Sequence, residues 1–352
     1  MSVIRARAPL RLGLAGGGTD VSPFADLHGG LVLNATIDKY AFASVELTDN
    51  GTVEFVSTDL QQSETLDVGV LSTDSGLRLH RGVYNRMMKD FNGGAPIGLR
   101  MTTYVESPLG SGLGSSSALV VAMVEALREL LGAPLGEYEV ALLAFNIERK
   151  DLGLNGGRQD QYAATFGGFN FMEFGKGDRI VVNPLRISKA TVNELEASLV
   201  LYYTGASRES ATIIDNQTNA VAAGGATLDA MHQLKTEATQ MKEALLFGDL
   251  DRMADILERG WQAKKKTSTA VSNPLIERLF ALAMASGARA GKVSGAGGGG
   301  FMIFLVDPSR RANLIRALEA DDAGQVEPCR FTEDGAMAWR PGVGSAALRR
   351  AG

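Results

Sequence analysis

The chain has 352 residues, a formal net charge of −5, three histidines and a single cysteine, Cys329. One cysteine excludes an internal disulfide and fits a reducing compartment, and the scattered histidines argue against a zinc site. The acidic balance argues against a nucleic-acid partner, and no segment has the length of a membrane span or the apolar core of a signal peptide. We therefore expect a cytoplasmic protein of two domains, a monomer or a homodimer, with no nucleic-acid or membrane partner.

The first half of the chain predicts a mixture of strands and helices. β-rich runs predict strands at residues 31–37, 40–47 and 97–104. Apolar periodicity predicts helices at residues 78–91, 115–131 and 137–150. The aromatic segment 166–174 indicates a pair of strands. The composition becomes polar at 175–190, and we place a domain boundary near residue 185, which gives units of 1–185 and 186–352.

The second half predicts another mixed unit, in which helices predominate. Strands are expected at residues 199–203 and 300–306. Helices are expected at residues 227–247, 249–266, 274–286 and 308–320. In the first of these helices, apolar residues recur three and four positions apart, which is typical of a core-facing helix.

The first glycine cluster is Arg7-Ala-Pro-Leu-Arg-Leu-Gly-Leu-Ala-Gly-Gly-Gly-Thr-Asp20. A tight turn between strands would explain its glycines but not the flanking Arg11 and Asp20. An arginine can hold a reacting oxygen or a phosphate, and an aspartate can hold sugar hydroxyls. The cluster therefore predicts either a structural turn or one wall of a binding site.

The second cluster is Ser107-Pro-Leu-Gly-Ser-Gly-Leu-Gly-Ser-Ser-Ser-Ala118, and an apolar run follows at once. Glycines allow backbone N–H groups to close around an anion, and the N-terminus of the following helix favours negative charge. A flexible linker is the alternative, but a linker would not run directly into a helix. The cluster is not a Walker A motif, because no Lys-Ser or Lys-Thr follows its glycines.

The third cluster is Gly291-Lys-Val-Ser-Gly-Ala-Gly-Gly-Gly-Gly-Phe301. Residues 295–300 match the G-x-G-x-x-G pattern of a nicotinamide-dependent oxidoreductase. That pattern needs a helix after the glycines, whereas Phe301–Val306 is strand-like. We therefore interpret the cluster as a close backbone approach to another loop or to a ligand.

Two carboxylates lie between the second and third clusters. Glu148 falls near the end of a predicted helix, and Asp160 follows Gly156-Gly157. Near a phosphate loop, one carboxylate could hold a divalent cation and the other could accept a hydroxyl proton. On spacing alone, however, two solvated surface acids are the simpler explanation.

The three clusters, in this order and separation, resemble the three motifs of the GHMP kinase superfamily. Residues 108–118 resemble its second motif, the ATP phosphate loop, and residues 7–20 and 294–301 resemble the first and third motifs. The resemblance runs nearly the full length. It is nearest to the sugar 1-kinase branch, which includes heptose 7-phosphate kinases and bacterial fucokinase domains. The segments that carry this resemblance are 7–20, Tyr203–Ser210, Trp261–Lys266 and Ser272–Ile276.

The resemblance implies a two-domain α+β fold, with an N-terminal domain like the second domain of ribosomal protein S5 and a ferredoxin-like C-terminal domain. It implies ATP and Mg²⁺ as cofactors and a sugar or sugar phosphate as the small-molecule substrate, phosphorylated on its anomeric hydroxyl. Galactokinases carry Gly-Glu-His-Thr-Asp-Tyr where this chain has Gly16-Gly-Gly-Thr-Asp20, which argues against galactose. A fucokinase, a mevalonate-type kinase or a non-catalytic sugar sensor on the same fold remain alternatives.

The resemblance also implies a role for each matching residue. Asp160 matches the catalytic aspartate and Arg11 the basic residue that faces the reacting oxygen. Ser116 and Glu148 match the ligands of Mg²⁺. The positions that match ATP-binding residues are Pro108, Gly110, Ser111, Gly112, Leu113, Gly114, Ser115, Ser116 and Ser117. The positions expected to contact substrate are Gly17, Gly18, Thr19, Asp20, His28, Gly29, Gly157, Arg208, Gly297 and Gly298, the last two also approaching the phosphate loop.

A substrate that already carries a phosphate would require a second basic site. The candidates in the sequence are Arg208, Arg158 and the run Lys264-Lys265-Lys266. A run of lysines on a helix also fits a solvated face. Arg208 is the preferred candidate, because it stands beside small residues and can bind a phosphate in bidentate fashion.

Overall fold

The computed structural model describes residues 3–108, 110–205, 213–215, 218 and 224–342. Its strands are β1 (Ile4–Ala15), β2 (Gly30–Leu47), β3 (Thr52–Ser57), β4 (Gln62–Asp67), β5 (Leu99–Val105), β6 (Phe169–Phe174), β7 (Ile180–Pro184), β8 (Leu199–Tyr203), β9 (Ala288–Val293), β10 (Phe301–Val306), β11 (Gln325–Glu327) and β12 (Met337–Trp339). Its α-helices are α1 (Phe24–His28), α2 (Arg78–Phe91), α3 (Ser115–Leu131), α4 (Glu137–Asn146), α5 (Gln159–Phe166), α6 (Lys189–Ser198), α7 (Ala226–Phe247), α8 (Leu250–Lys265), α9 (Pro274–Ala285) and α10 (Pro308–Glu319).

The first sheet has eight strands, arranged β12-β1-β2-β5-β3-β4, with β6 and β7 extending from β2. The long strand β2 pairs with β1 on one edge, while its other edge pairs first with β6 and then with β5. The two strands predicted at 31–37 and 40–47 are therefore one strand. Its length allows β2 to join both halves of this sheet.

Helix α3 packs on β1 and β2, and its residues Ala118–Leu127 are all buried. A helix that is apolar on every side is stable only inside a core. Gly132 ends α3 in the left-handed conformation, with φ of 63°. Because α3 is fixed by this burial, the glycine loop before its N-terminus is held at one end by a rigid element.

The second sheet is antiparallel, in the order β11-β8-β10-β9. Along β10, Met302 and Phe304 pack into a core with α9 and α10, while Ile303 and Leu305 join the core shared with the first sheet. This alternation follows from the two-residue period of a strand. The second sheet is therefore covered on both faces, and its β9–β10 connection is the third glycine cluster.

Helices α7 and α8 connect the two sheets, because α7 packs on β1 and β2 while α8 packs on β9. The last described strand, β12, pairs with β1 and so lies in the first sheet, although it follows the second sheet in the chain. The boundary near residue 185 falls between β7 of the first sheet and β8 of the second. It stays a prediction.

Most predicted elements match the structure within two residues. Two interpretations were wrong in detail. The segment 166–174 is not a pair of strands: Phe166 ends α5, and β6 alone follows, paired with β2 and β7. The helix predicted at 137–150 ends as an α-helix at Asn146 and continues as a π-helical turn, Ile147–Asp151. Within the described ranges, no helix is both long and apolar enough to cross a membrane.

Candidate active site

Arg11 and Asp160 form an ion pair between the first sheet and the start of α5. Arg11 Nε donates to Asp160 Oδ1 at 2.8 Å, and Nη2 lies 2.6 Å from the same oxygen. Arg11 Nη1 also donates to the carbonyl oxygen of Gly112 at 2.6 Å. Arg11 is 5% exposed, whereas the Asp160 side chain is 22% exposed. The pair therefore ties the glycine loop to a carboxylate that remains open to the cavity.

The glycine loop before α3 adopts backbone angles that other residues disfavour. Gly110, Gly112 and Gly114 have φ of 74°, 85° and 74°. Alternating left-handed residues turn successive N–H groups toward one side, which is the geometry of an anion-binding nest. The N-terminus of the 17-residue α3 adds its positive dipole at the same place. This arrangement suits the phosphates of a nucleotide.

The third glycine cluster supports this loop from the second domain. A Cβ at Gly300 would lie 2.2 Å from the carbonyl oxygen of Ser111, and one at Gly295 would lie 2.8 Å from Gly112 Cα. Ser294 Oγ donates to the Gly112 carbonyl at 2.9 Å. Because β9 precedes the cluster and β10 follows it, the cluster is a strand-to-strand connection and lacks the context of a nicotinamide-binding motif.

Gly297 and Gly298 are not the residues of this cluster that approach the loop. A Cβ at Gly297 would lie 2.7 Å from the carbonyl oxygen of Val271, and Gly298 N donates to the same oxygen at 2.7 Å. These two glycines therefore pack on the 3₁₀ turn Thr269–Val271. The prediction that Gly297 and Gly298 approach the phosphate loop was therefore wrong. Gly295 and Gly300 approach it instead, because they face Gly112 and Ser111.

Glu148 lies inside the π-helical turn and is fully buried. Ser116 Oγ donates to its Oε1 at 3.2 Å, and Ser117 Oγ donates to its Oε2 at 2.6 Å. Gln161 Nε2 donates to both Glu148 Oε2 and Ser117 Oγ. Such hydrogen bonds offset the cost of burying a carboxylate. The network joins the start of α3 to α5, the helix that carries Asp160.

Mg²⁺ in phosphoryl-transfer sites takes one or two protein oxygens, with the nucleotide phosphates supplying others. Ser116 Oγ and Glu148 Oε1 are adjacent oxygens at the end of the phosphate loop, so this donor set fits the ion. In the part of the chain that the structure describes, no group of three or more His, Cys, Asp or Glu side chains is arranged so that it could hold a metal ion. A metal ion bound here would therefore also need oxygens from a bound nucleotide.

Asp20 is buried, and its carboxylate accepts hydrogen bonds mainly from residues at the start of α5. Oδ2 accepts from the backbone N–H groups of Arg158 and Gln159 at 2.9 and 3.1 Å, and Oδ1 accepts from Gly18 N and Gln159 Nε2, each at 3.1 Å. A Cβ at Gly157 would lie 2.0 Å from Asp20 Oδ2. Asp20 thus fixes the helix N-terminus that presents Asp160.

Three residues expected to contact substrate are placed away from the cavity. Thr19 is fully buried, and its hydroxyl bonds the carbonyl oxygens of Gly16 and Leu31. The His28 ring packs against Phe24 and His232. Gly29 follows it at the end of α1. Thr19 therefore holds the first cluster against β2 instead of facing a ligand.

The site residues surround a cavity of about 270 Å³. The predicted residues that line it are Arg11, Gly17, Gly18, Asp20, Gly110, Gly112, Gly114, Ser115, Ser116, Gly157 and Asp160. The predicted residues that do not line it are Pro108, Ser111, Leu113, Ser117, Thr19, His28, Gly29, Glu148, Gly297 and Gly298. Ser111, Leu113 and Ser117 are buried beneath the loop, so their side chains support its conformation.

Two lysines of the second domain line the same cavity. Lys264, at the end of α8, donates to the Gly17 carbonyl at 3.0 Å, and Lys292 of β9 donates to the Gly13 carbonyl at 2.9 Å. The pKa of Lys264 is lowered to about 8 and that of Lys292 to about 7, in both cases first by burial and to a lesser extent by nearby positive charge, from Arg11 for both and also from Lys264 for Lys292. Lys292 lies within the third glycine cluster but was not predicted as a site residue, because only the fold brings its ammonium group to the Gly13 carbonyl and the cavity.

The other candidates for a second basic site differ from Lys264. Arg158 donates to the Gly175 and Gly177 carbonyls and pairs with Asp26, so its guanidinium has a structural role. Lys265 pairs with Glu277 on the surface, and Lys266 is exposed. Arg208 lies outside the described residues.

The chain matches two domain families. "GHMP kinases N terminal domain" matches residues 78–168, and "GHMP kinases C terminal" matches residues 241–323. A solved structure of a D-glycero-D-manno-heptose 1-phosphate kinase from Bacteroides thetaiotaomicron has a TM-score of 0.81 and 45% identity, covering 96% of this chain and 98% of that one.

Two curated relatives agree with these matches. An L-fucokinase/L-fucose-1-P guanylyltransferase of Bacteroides fragilis is 25% identical over 94% of this chain and 37% of its own length. A D-glycero-alpha-D-manno-heptose 7-phosphate kinase of Campylobacter jejuni is 47% identical over 97% of this chain and 100% of its own length. With both domains matched and a full-length relative of this identity, the chain belongs to the GHMP kinase family and has its mixed α/β two-domain fold.

Proposed function

We propose that this protein transfers the γ-phosphoryl group of ATP to the anomeric hydroxyl of D-glycero-D-manno-heptose 7-phosphate, which gives the 1,7-bisphosphate. The observation that carries the proposal is the Arg11–Asp160 pair, hydrogen-bonded directly to a glycine loop at the N-terminus of a buried helix. The acceptor is suggested by the Campylobacter jejuni relative, which is named for the 7-phosphate.

Asp160 is the proposed acceptor of the proton from the attacking hydroxyl. Arg11 engages its Oδ1, and no described residue hydrogen-bonds Oδ2, which leaves that oxygen available to a substrate hydroxyl. A carboxylate within hydrogen-bond reach of the hydroxyl orients it and takes its proton as the P–O bond forms. Arg11 also carries the positive charge nearest to the loop and would stabilise the transferring group.

The loop and helix α3 are proposed to hold the β- and γ-phosphates. Phosphoryl transfer requires mainly positioning and neutralisation of charge, and backbone N–H groups supply both without reorganising. Ser116 and Glu148 would hold Mg²⁺, which would neutralise charge on the phosphates. These assignments are supported by the backbone angles of the glycines and by the Ser116–Glu148 contact.

The names of the relatives leave two acceptor positions to distinguish. The Bacteroides thetaiotaomicron structure is named for the heptose 1-phosphate. A sugar with a phosphate on its anomeric oxygen has no free hydroxyl there, so a 1-phosphate and a 7-phosphate cannot receive the phosphoryl group at the same atom. A fucokinase-like activity on an unphosphorylated sugar is the further alternative, since fucokinases are among the relatives.

An acceptor panel tests the proposal. ADP release is measured with heptose 7-phosphate, heptose 1-phosphate, free heptose, L-fucose, galactose and mevalonate, with Asp160→Asn as the control for background ATP hydrolysis. We expect the highest kcat/KM with heptose 7-phosphate. A higher value with fucose or mevalonate would contradict the acceptor, and binding of sugar without any transfer would support a sensor instead. We also propose a cytoplasmic location, which the single cysteine supports.

A further inference from the structure

The cavity contains two ammonium groups that lie outside the phosphate loop. Lys264 and Lys292 enter it from two different elements of the second domain, the end of α8 and strand β9. Both ammonium groups bond carbonyl oxygens of residues in the first glycine cluster, Gly17 and Gly13. They therefore lie beside the segment that holds Arg11, and their anchoring carbonyls do not belong to the phosphate loop.

Neither ammonium is neutralised by an acid. No described carboxylate lies within 4.0 Å of either Nζ. An ammonium has three donors, and within the described ranges each Nζ makes one hydrogen bond, to a carbonyl. Arg11 differs, because its charge is paired with Asp160. Two donors on each lysine therefore remain for a ligand.

A buried cation without a partner is costly, and proteins normally pair such groups or use them to bind an anion. Lys264 is 7% exposed and Lys292 is partly buried, and the pKa of each lysine is lowered, first by burial. Asp20 and Glu237 act only as more distant negative charges. A ligand that places a dianionic group beside Lys264 and Lys292 in the cavity would neutralise the charge of both ammonium groups at once.

We propose that Lys264 and Lys292 bind the phosphate that the acceptor sugar already carries. The inference rests on the proposed kinase function, because it assigns the second anionic group of that reaction's acceptor. Lys264 belongs to the lysine run that the sequence offered as a candidate, whereas the candidates Arg158 and Lys265 have other partners. The competing occupant is the γ-phosphate of ATP, which the experiment distinguishes.

The first experiment uses Lys264→Met and Lys292→Met, which keep most of the side-chain length and remove the charge. Lys265→Met is the matched control, since Lys265 is the next residue along and pairs with Glu277. We expect KM for heptose 7-phosphate to rise at least about tenfold in each test variant, the loss of one charge-assisted hydrogen bond. KM for ATP and for unphosphorylated heptose should change little, and Lys292→Arg should recover part of the loss.

Equal increases in KM for the phosphorylated and unphosphorylated sugar would overturn the proposal, and so would an increase confined to ATP. If the wild-type protein phosphorylates neither heptose acceptor, the proposed function fails, and a binding measurement then decides the lysine site alone. With a non-hydrolysable ATP analogue saturating the loop, inorganic phosphate should raise the Tm of the wild type and of Lys265→Met, but not of the two test variants. If inorganic phosphate fails to raise the Tm of the wild type, the proposed phosphate site at Lys264 and Lys292 is also contradicted.

Discussion

Arg11 bonds one oxygen of Asp160 and leaves the other free of described partners. Nε and Nη2 both lie within 2.8 Å of Oδ1. This asymmetry gives the carboxylate two separate tasks, since one oxygen fixes its orientation and the other can receive a substrate proton. The same guanidinium bonds Gly112, so one side chain joins the carboxylate to the phosphate loop.

Replacing Asp160 with asparagine should lower kcat by about two to four orders of magnitude, the range for a lost proton acceptor. The amide is nearly isosteric but cannot take the proton. Binding of ATP, measured by calorimetry, should change little because the loop is intact. A variant with near-normal kcat would show that Asp160 does not accept the proton.

Gly114, the last glycine of the phosphate loop, packs against the Arg11–Asp160 pair. A Cβ there would lie 3.3 Å from Asp160 Cγ and 3.5 Å from Arg11 Cγ, at a φ of 74°. Gly114→Ala should therefore displace Asp160 and lower kcat, in addition to a loss of about 1–2 kcal/mol in the free energy of unfolding from the left-handed backbone.

Gly132→Ala is the matched control at the other end of the same helix. Gly132 also has a positive φ, of 63°, and nothing lies within 4 Å of its Cβ position. Both variants should lose a similar amount of stability in chemical denaturation, but Gly132→Ala should keep its kcat. Equal kcat values in the two alanine variants would mean that the contact with Asp160 has no catalytic consequence.

Gln161 is predicted to position the buried Glu148 carboxylate. Gln161→Met removes the amide that bonds both Glu148 and Ser117, so the free energy of unfolding should fall by about 1.5–3 kcal/mol, the value of a hydrogen bond to a charged group. The Mg²⁺ concentration for half-maximal activity should also rise. In Gln262→Met, which loses an exposed bond to Glu258, both quantities should hardly change. If the two variants show equal changes in unfolding free energy and in Mg²⁺ requirement, Gln161 does not position Glu148.

The lowered pKa values of the two cavity lysines predict a pH dependence of acceptor binding. With pKa values of about 7 for Lys292 and about 8 for Lys264, the charged forms dominate below these values and are lost above them. The sugar phosphate is mostly dianionic above pH of about 6. KM for heptose 7-phosphate should therefore rise at least about tenfold between pH 7 and pH 9.

The Lys292→Arg variant checks the source of this pH dependence. Arginine stays charged throughout the range, so the variant should show a flatter KM profile. The groups that face Lys292 are Lys264 and Arg11, which lower its pKa, and Glu237, which raises it. An unchanged profile in the variant would assign the pH dependence to other groups.

The sequence predicted the parts of the site that lie in motifs. Glycine patterns led to Gly110, Gly112 and Gly114, whose left-handed angles only glycine adopts easily. Arg11 and Asp160 stood out beside glycine clusters, and the family resemblance gave them their roles. The placement of these groups within hydrogen-bond distance required the fold, because they are 149 positions apart in the chain.

Other residues could not be assigned from the sequence. Lys292 is a single lysine in a strand, and only the approach of β9 to β1 brings it into the cavity. Thr19 belongs to the first motif, but its hydroxyl is used by backbone groups of Gly16 and Leu31. In the fold, β12 was not predicted at all, because a three-residue strand is recognisable only by its pairing with β1.

Phosphorus NMR of the product formed from heptose 7-phosphate and ATP tests directly where the phosphoryl group is transferred. We expect a bisphosphate that keeps the original phosphate at C7 and carries a new one coupled to the anomeric proton, with no such product from Asp160→Asn. A new phosphate on any other oxygen, or turnover of heptose 1-phosphate in place of the 7-phosphate, would contradict it.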